Sequence, residues 1–289
     1  MTKKVRKAVL PVAGLGTRIL PAAKATPKNL LNVFDRPILS YIVAEARTAG
    51  IEHLIFVVGR GQGAIEEYFD HNPELETQLE AKGKTDILAE VRKDLPRPGE
   101  MSFVRQMAPL GLGHAVWCAR DLVGDEPFAV MLPDMLMAAE PAALAQAVAA
   151  HQQVGGNIIV VEPAPEGEAH KYGIVALEGR AGRLNKMTGM VEKPAPGTEP
   201  SNLFISGRYI LQPQIFQLLA DQEKGAGGEI QLTDAMVRLM AQQDFHALEY
   251  DGTTYDCGDP IGLLRANIAF ALRNPRMAEA ARKAIEELL

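Results

Sequence analysis

The chain has 289 residues, of which 47% are hydrophobic and 23% charged, and its net charge is −6. These values suit a globular protein with a sizeable buried core, and the negative charge excludes a broad basic surface for duplex nucleic acid. No apolar run approaches the roughly 20 residues that span a bilayer, and the N-terminus lacks a signal-peptide pattern. The two cysteines, Cys118 and Cys257, form no CxxC pair and are expected to be reduced thiols. We predict a cytoplasmic protein with no nucleic-acid or membrane partner.

The first half of the chain alternates strand-like and helix-like segments. Short apolar runs with β-branched residues predict buried strands at residues 7–13, 53–59, 102–106, 128–134 and 157–163. Apolar residues at helical spacing from Leu39 to Ala46 separate the first two runs, and a second helix is predicted after Gly111 and Gly113. Strands that alternate with helices predict a parallel, doubly wound sheet.

The second half has fewer predicted helices between its strands. Its strand-like segments, which predict an antiparallel or mixed extension of the sheet, are residues 173–177, 183–194 and 202–211. An amphipathic helix is predicted at 229–243, and one or two helices with a charged face at 261–289.

One highly charged segment, residues 72–101, interrupts the first half. It predicts a solvated helical excursion or, as the sharper hypothesis, an arm for contact between subunits. No linker rich in proline or glycine divides the chain. We therefore predict a single α/β domain that spans residues 1–289.

The segment GLGTRILPAAKATPKNLL follows the first predicted strand and carries two glycines and three cations. Gly14 and Gly16 match neither the dinucleotide-binding G-x-G-x-x-G pattern, whose third glycine is missing, nor a P-loop. Glycines still let the backbone approach an anion closely, Arg18 offers a planar fork for phosphate, and Lys28 adds a point charge. Ligands bind at such loops in α/β sheets. We predict phosphate binding here, with a solvated glycine-rich turn as the alternative.

The run VAGLGTRILP, followed by K-x-x-P-K, resembles the signature of the sugar-1-phosphate nucleotidylyltransferases. Further blocks occur in the family's order and at about its spacing, and they are QMAPLGLGHAV (106–116), LPDM (132–135), VEKP (191–194), GRYIL (207–211), GGEIQLTDA (227–235) and YDCG (255–258). Together they extend over nearly the whole chain. Within the family, the likeness is greatest to the bacterial UTP–glucose-1-phosphate uridylyltransferases.

The resemblance implies a Rossmann-like, doubly wound mixed sheet flanked by helices, as in nucleotide-diphospho-sugar transferases. It implies Mg²⁺-dependent transfer of a uridylyl group from UTP to glucose 1-phosphate, which yields UDP-glucose and pyrophosphate. A homo-oligomer, either a dimer or a tetramer, is implied as well. The chain would comprise a nucleotide-binding half at about 1–135, a sugar-binding half at about 136–260 and C-terminal helices at about 261–289.

Two aspartates are the implied metal ligands. Asp134 ends a predicted strand, and Asp256 lies in the turn-rich YDCGDP segment. Read alone, Asp134 is more typical of a turn or a helix cap than of a metal ligand, and Asp256 is typical of an Asx turn. The resemblance implies that both bind Mg²⁺ bridging the phosphates, while Arg18 and Lys28 stabilise the triphosphate and the departing pyrophosphate. Asp259 is predicted to be structural.

The resemblance also implies the substrate-binding residues. On the nucleotide side they are Ala13, Gly14, Gly16, Gln106 and Gly111. On the sugar side, Glu192 would accept hydrogen bonds from hydroxyl groups, Lys193 would contact the phosphate of glucose 1-phosphate, and Gly173 would contribute backbone contacts. His114 opens a predicted helix after two glycines and is predicted to be a capping or packing residue. No general base is required, because the attacking phosphate is already ionised.

Two positions depart from the family pattern. Asn29 stands where the family typically has glutamate, and Met107 where it has glycine. Since Asn29 adjoins Lys28, we predict an active enzyme with an altered site. Alternatives are the same chemistry with another nucleotide or hexose 1-phosphate, and a catalytically weak regulatory paralogue that binds nucleotide sugars. The missing third glycine disfavours a Rossmann oxidoreductase.

Overall fold

The computed structural model describes residues 2–221, 223, 225 and 228–288. Gly227, the first residue of the predicted GGEIQLTDA block, lies outside these residues, as do Met1 and Leu289 at the ends of the predicted domain. None of the helices in the described ranges has both the length and the apolar character that a bilayer crossing requires.

Within the described residues, the strands form one large sheet and two small two-stranded pairs. In chain order they are β1 (Lys7–Pro11), β2 (Asn32–Val33), β3 (Arg36–Pro37), β4 (His53–Val58), β5 (Met101–Arg105), β6 (Phe128–Met131), β7 (Met135–Ala138), β8 (Asn157–Pro163), β9 (Gly173–Leu177), β10 (Leu184–Glu192), β11 (Leu203–Leu211), β12 (Phe245–Glu249) and β13 (Thr253–Asp256). The two small pairs are β2 with β3 and β7 with β13.

Helices cover both faces of the large sheet, and the last two helices form the C-terminal part of the chain. They are α1 (Ile38–Thr48), α2 (Gly63–Tyr68), α3 (Pro73–Ala81), α4 (Thr85–Arg92), α5 (Leu112–Cys118), α6 (Arg120–Val123), α7 (Ala143–Val154), α8 (Ile215–Ala220), α9 (Leu232–Met240), α10 (Pro260–Arg273) and α11 (Ala278–Glu286).

Within the described residues, nine strands pair in the order β5-β4-β1-β6-β11-β8-β12-β10-β9. The four strands from β5 to β6 are parallel. β11 then runs antiparallel between β6 and β8, β12 runs parallel to β8, and β10 and β9 complete an antiparallel edge. The predicted doubly wound sheet with a mixed extension is therefore confirmed.

Alternation along the strands explains why both faces of the sheet are apolar. In β1, Ala8 and Leu10 join the core under α1 and α7, whereas Val9 joins the core under α5, α8 and α9. Successive side chains of a strand point to opposite faces, so a strand covered on both sides must be apolar at nearly every position. This requirement produced the continuous hydrophobic runs seen in the sequence.

Several predicted boundaries were wrong. The single helix expected after Gly113 is divided at Ala119 into α5 and α6, and the helix predicted at 229–243 begins only at Leu232. The strand predicted at 128–134 ends at Met131, because Met135 N–H bonds back to Leu132 C=O and closes a turn. Segment 72–101 contains α3 and α4, which agrees with the helical excursion, and the C-terminal segment forms two helices.

The order of the strands creates a crevice beside β1. From β1 the chain proceeds through α1 to β4 on one side, and it later returns through α5 and α6 to β6 on the other side. The direction of winding reverses here, so the loops at the carboxyl ends of β1 and β6 diverge. Ligands of open α/β sheets bind at such a switch point.

Candidate active site

The glycine loop that follows β1 folds back on itself at the mouth of this crevice. It contains three short 3₁₀ turns, at Thr17–Ile19, Ala22–Lys24 and Lys28–Leu30. Lys28 packs against Gly14 and Gly16, and the absence of a side chain matters at Gly16, whose φ is 64° and where an added Cβ would lie 3.0 Å from Lys28 Cβ. The loop thereby directs the Lys28 ammonium toward the carboxyl end of β6.

Lys28 forms an ion pair with Asp134, which lies in the turn between β6 and β7. Lys28 Nζ donates to Asp134 Oδ2 at 2.5 Å, and both side chains are largely buried. Burial acts to raise the pKa of Asp134, but the Lys28 ammonium outweighs it and holds that pKa below its ordinary value. Asp134 is therefore a carboxylate at neutral pH.

Pairing between β7 and β13 brings Asp256 beside Asp134. Asp256 is opposite Met135 in the antiparallel register, and the next residue, Cys257, donates its backbone N–H to Asp134 C=O at 2.8 Å. Arg18 Nη1 donates to Asp256 Oδ2 at 3.2 Å, although the Arg18 side chain is 62% exposed. Each carboxylate thus has a cationic partner from the glycine loop.

The two adjacent carboxylates fit a divalent metal. Mg²⁺ prefers hard oxygen ligands and is commonly held by one or two carboxylates together with substrate phosphates and water. Asp134 and Asp256 would be those ligands. In the described ranges, this crevice included, no group of three or more His, Cys, Asp or Glu side chains could hold a metal ion by itself, so substrate oxygens and water would have to complete the coordination.

A cleft of about 450 Å³ opens between the glycine loop, α5 and the turn after β6. This volume lies in the usual range for small-molecule sites. Its lining includes six of the predicted site residues, namely Ala13, Gly14, Lys28, Gln106, Gly111 and Asp134. Gly16 and Arg18 lie outside the lining, Gly16 beside Lys28 and Arg18 at Asp256.

The orientation of the Gln106 amide is set by two acceptors. Gln106 Nε2 donates to Gly111 C=O at 3.1 Å and lies 3.0 Å from His114 Nδ1. Burial lowers the pKa of His114, which favours the neutral imidazole that can accept this bond. The amide oxygen of Gln106 then remains an acceptor for a nucleobase N–H. His114 also stacks on Trp117 and is a packing residue, as predicted.

Gly111 is required by the close approach of a second segment. Its φ is 105°, and a Cβ there would lie 2.7 Å from Glu229 Cβ and 2.9 Å from Ile230 C=O. Ile230 in turn bonds to Leu110 C=O and to Gly113 N–H. This packing places Glu229 in the lining of the cleft, a position that the sequence interpretation did not assign.

The predicted sugar residues meet at the β9–β10 edge. Glu192 is opposite Gly173 in the register, and a Cβ at Gly173 would lie 3.0 Å from Glu192 Oε2. Thr233, in the first turn of α9, donates its hydroxyl to the same oxygen at 2.8 Å. The sequence interpretation missed Thr233, although it lies within the GGEIQLTDA block that carried the resemblance.

Lys193 follows Glu192 with a backbone conformation that is rare for its residue type. Its φ is 47°, and its N–H donates to Tyr172 C=O at 3.0 Å. Left-handed conformations of non-glycine residues cost of order 1–3 kcal/mol and cluster at functional sites. The Lys193 side chain is exposed at the end of β10.

Two tyrosines, Tyr172 and Tyr209, have raised pKa values, and site carboxylates contribute to both shifts. Burial, followed by the Glu192 carboxylate, raises the pKa of Tyr209, and Asp134 acts in the same direction. Burial, followed by Asp256, likewise raises the pKa of Tyr172. The predicted sugar residues Gly173, Glu192 and Lys193 lie outside the lining of the cleft, so a single continuous site with the nucleotide residues stays a prediction.

A protein-family model described as nucleotidyl transferase matches residues 7–271 of the chain. The chain belongs to the nucleotidyl transferase family. Among curated relatives, the UTP–glucose-1-phosphate uridylyltransferase of Bacillus subtilis (strain 168) is 46% identical over 287 residues, which cover 99% of this chain and 98% of that protein.

Solved structures agree with this assignment. The UTP-bound UGPase from Acinetobacter baumannii aligns with a TM-score of 0.92 and 42% identity, and the alignment covers 99% of this chain and 100% of that one. A UDP-glucose pyrophosphorylase complexed with UDP-glucose aligns with a TM-score of 0.83 and 35% identity, over 93% of this chain and 100% of that one. The family resemblance and the fold class predicted from the sequence are confirmed.

The two departures from the family pattern lie outside the cleft lining of this nucleotidyl transferase. Met107 is 82% exposed. Asn29 is 0% exposed and donates through Nδ2 to Val12 C=O at 3.3 Å, while its Oδ1 has no hydrogen-bond partner among the described residues. The side chain of Asn29 therefore contacts the end of β1 rather than the Lys28 ammonium.

Asn29→Glu is consequently expected to act on stability more than on catalysis. A carboxylate at this position would be desolvated, and it would lose the donor to Val12 C=O, at a cost of about 1–3 kcal/mol in the free energy of unfolding. Urea unfolding would measure this loss. A stable variant whose KM for nucleotide changes would instead indicate that the residue at position 29 reaches the ligand.

Proposed function

We propose that this nucleotidyl transferase transfers a uridylyl group from UTP to glucose 1-phosphate, with UDP-glucose and pyrophosphate as products. The observation that carries the proposal is the pairing of Asp134 with Lys28, at the edge of the cleft, and of Asp256 with Arg18 beside it. Two carboxylates and two cations at one crevice suit a reaction between polyanions. The names of the full-length relatives support the choice of substrates.

The nucleotide would bind in the cleft between the glycine loop and α5. Ala13 and Gly14 would present backbone groups to uracil, and the Gln106 oxygen would accept from the base N–H. The triphosphate would lie toward Lys28 and Arg18, whose ammonium and guanidinium groups already face this end of the sheet.

The reaction would be an in-line displacement. A phosphate oxygen of glucose 1-phosphate forms a bond to the α-phosphorus of UTP, and the bond from that phosphorus to the pyrophosphate oxygen breaks. The attacking oxygen is already ionised, so no protein group needs to remove a proton. Asp134 and Asp256 would hold Mg²⁺, which when bound neutralises charge on the phosphates. The chain itself contributes positioning and cationic stabilisation.

On the sugar side, we propose that Glu192 accepts hydrogen bonds from glucose hydroxyls and that Lys193 contacts the sugar phosphate. Gly173 leaves room for the carboxylate, because a side chain there would meet Glu192 Oε2. Thr233 would keep Glu192 in one rotamer through its hydroxyl donor. The hexose would therefore be recognised by a carboxylate that is already oriented before binding.

Thr233→Val tests this arrangement. Valine keeps the shape of threonine and removes the donor to Glu192, so we expect the KM for glucose 1-phosphate to rise about tenfold, the equivalent of about 1.4 kcal/mol, with the KM for UTP unchanged. Steady-state kinetics with each substrate varied would measure both constants. Thr48→Val, which removes a hydroxyl bond to Ala44 C=O on α1, is the control and should change neither.

The function itself is tested by an activity panel. Purified protein would be assayed for pyrophosphate release with UTP, dTTP, ATP, CTP and GTP, each crossed with several hexose 1-phosphates, with Mg²⁺ or EDTA. We expect the largest kcat/KM for UTP with glucose 1-phosphate, and no turnover in EDTA. Preference for another pair would favour the alternative substrates, whereas binding of UDP-glucose without turnover would favour a regulatory paralogue.

Other features predicted from the sequence stay predictions. We propose that residues 1–135 chiefly bind the nucleotide and residues 136–260 chiefly bind the sugar, which is consistent with the distribution of the site residues along the chain. The cytoplasmic location and the homo-oligomeric state likewise stay predictions.

A further inference from the structure

Arg208 is a fully buried arginine whose donors are all used. It lies on β11 with 0% of its surface exposed. Nε and Nη2 donate to the two oxygens of Glu45 at 3.0 and 2.7 Å. Nη1 donates to Leu132 C=O at 3.1 Å and Gly207 C=O at 3.2 Å, and Nη2 also donates to Met135 C=O at 2.9 Å. A guanidinium has five N–H groups, and these contacts account for all five.

Glu45, on α1, pairs with Arg208 and is itself held by a further hydrogen bond. Its carboxylate is largely buried, and Oε1 accepts the Leu144 backbone N–H in the first turn of α7 at 3.0 Å as well as Arg208 Nε. Three elements, α1, α7 and β11, therefore meet at this one carboxylate. Neither partner can turn to another rotamer without leaving a buried charge unpaired.

An irregularity in β11 aims Arg208 at the turn after β6. The pairing register between β11 and β8 shifts between Ile205 and Tyr209, and Gly207 in that interval has a φ of 91°. A Cβ at Gly207 would lie 3.0 Å from Leu132 Cβ, and Leu132 N–H donates to Gly207 C=O at 2.9 Å. Bulges of this kind redirect a side chain and are common next to active sites.

The two carbonyls that Arg208 reaches flank Asp134. Leu132 and Met135 begin and end the LPDM turn, so the backbone on either side of Asp134 is attached to one rigid guanidinium. We propose that Arg208 and Glu45 are positioning residues that hold Asp134 in the orientation required of a metal ligand. This inference rests on the proposed function, because Asp134 is a metal ligand only there.

Stability by itself does not account for such a pair. A buried ion pair loses solvation that its mutual attraction often fails to recover, and apolar residues of similar volume are frequently as stable. The chain also contains a similar pair away from the crevice. Arg47 donates to both oxygens of Glu100 and to the carbonyls of Lys93, Asp94 and Leu95. That second pair supplies a matched control.

The test compares Glu45→Gln and Arg208→Lys with Glu100→Gln and Arg47→Lys in the full chain. Mn²⁺ would be titrated into each protein in saturating UTP, and water-proton relaxation would report the ion bound at the protein. Changes in residues behind metal ligands typically weaken metal affinity by about 10–100-fold. We expect at least about a tenfold weaker Mn²⁺ affinity for the first two variants and less than about a twofold change for the controls.

Two further measurements separate positioning from a structural role. UTP affinity in EDTA, measured by calorimetry, should be unchanged in all four variants. In steady-state assays, the Glu45 and Arg208 variants should show a lower kcat and a higher half-saturating Mg²⁺ concentration, with the KM for glucose 1-phosphate unchanged. Melting temperatures should fall in all four variants, since each removes hydrogen bonds from an ion-pair network, and the fall should be larger at the fully buried Arg208 than at Arg47, whose side chain is 26% exposed.

A double variant keeps the proposal testable if the single variants do not fold. Glu45→Leu combined with Arg208→Met replaces the pair by apolar residues of similar size and leaves no unpaired charge. We expect this protein to fold and to show the same loss of Mn²⁺ affinity. Wild-type affinity in a folded double variant would overturn the positioning role. Wild-type protein without any relaxation enhancement would instead overturn the metal site, and with it the proposed mechanism.

Discussion

Replacing Asp134 by asparagine is expected to lower kcat about 10³-fold, the equivalent of about 4 kcal/mol of transition-state stabilisation. Asparagine keeps the size of the side chain but removes the negative charge that a divalent ion requires. Because the amide cannot pair with Lys28 as an ion, the 2.5 Å contact is weakened too. Steady-state assays over a range of Mg²⁺ concentrations would measure the loss, which excess Mg²⁺ should restore only in part.

Asp259→Asn is the matched control for this substitution. Asp259 lies close in sequence to Asp256, but its Oδ1 accepts the backbone N–H groups of Ile261 and Gly262 at the start of α10. It is a helix cap, in agreement with the structural role predicted for it. Asparagine caps helices as well as aspartate, so activity and stability should both be near wild type. If both variants lost the same fraction of kcat, the total negative charge at this edge, and not the specific position of Asp134, would determine activity.

Lys28→Met is expected to lower kcat about 100-fold, since removal of one preorganised charge from a phosphoryl-transfer site typically costs about 3 kcal/mol. Methionine has a similar length and no charge. The KM for UTP should rise as well, because the ammonium group would contact the triphosphate in the ground state. Steady-state kinetics with UTP varied would separate these two effects.

The same substitution has a consequence for stability as a function of pH. The pKa of Asp134 is lowered in the folded protein, so its ion pair with Lys28 stabilises the fold above the unfolded carboxyl pKa of about 3.9. That stabilisation is lost as the pH falls through the lower, folded pKa. In Lys28→Met, the difference in unfolding free energy between neutral and acidic pH should therefore be smaller than in wild type. Urea unfolding at a series of pH values would measure it.

Lys24→Met serves as the control for Lys28→Met. Lys24 is in the same glycine loop, and its side chain is exposed. Its removal changes the net charge of the loop by the same amount, so any effect of overall charge would appear in both variants. We expect wild-type kcat and pH dependence for Lys24→Met. A loss as large as that of Lys28→Met would argue against the specific contact with Asp134.

Local patterns in the sequence predicted most of the strands of the central sheet. The runs at 157–163 and 173–177 coincide with β8 and β9, because a strand covered on both faces needs apolar residues at nearly every position. The short strands β7 and β13 were not predicted. Each has four residues, and their pairing depends on segments far apart in the chain, so no local period distinguishes them from turns.

The chemical types of the site residues were also evident in the sequence. The glycine loop with Arg18 and Lys28 suggested a phosphate site on physical grounds, and the ordered blocks of the family resemblance assigned the remaining residues. Thr233 and Arg208 lay inside two of those blocks and received no role. A hydroxyl or a guanidinium becomes informative only when its partners are known, and those partners, Glu192 and the carbonyls around Asp134, are remote in the chain.

The sequence by itself determined that this protein has a doubly wound α/β sheet with a glycine-rich, cationic loop after its first strand, for which phosphate binding stays a prediction. The spacing of hydrophobic residues and the positions of glycines and charged residues are local features of the sequence, so they can be interpreted without a structure. Only the tertiary structure decided that Asp256 lies beside Asp134, that Asn29 faces β1, and that Arg208 supports the turn between β6 and β7. Those relations depend on strand pairing and on the packing of distant segments, which no local pattern encodes.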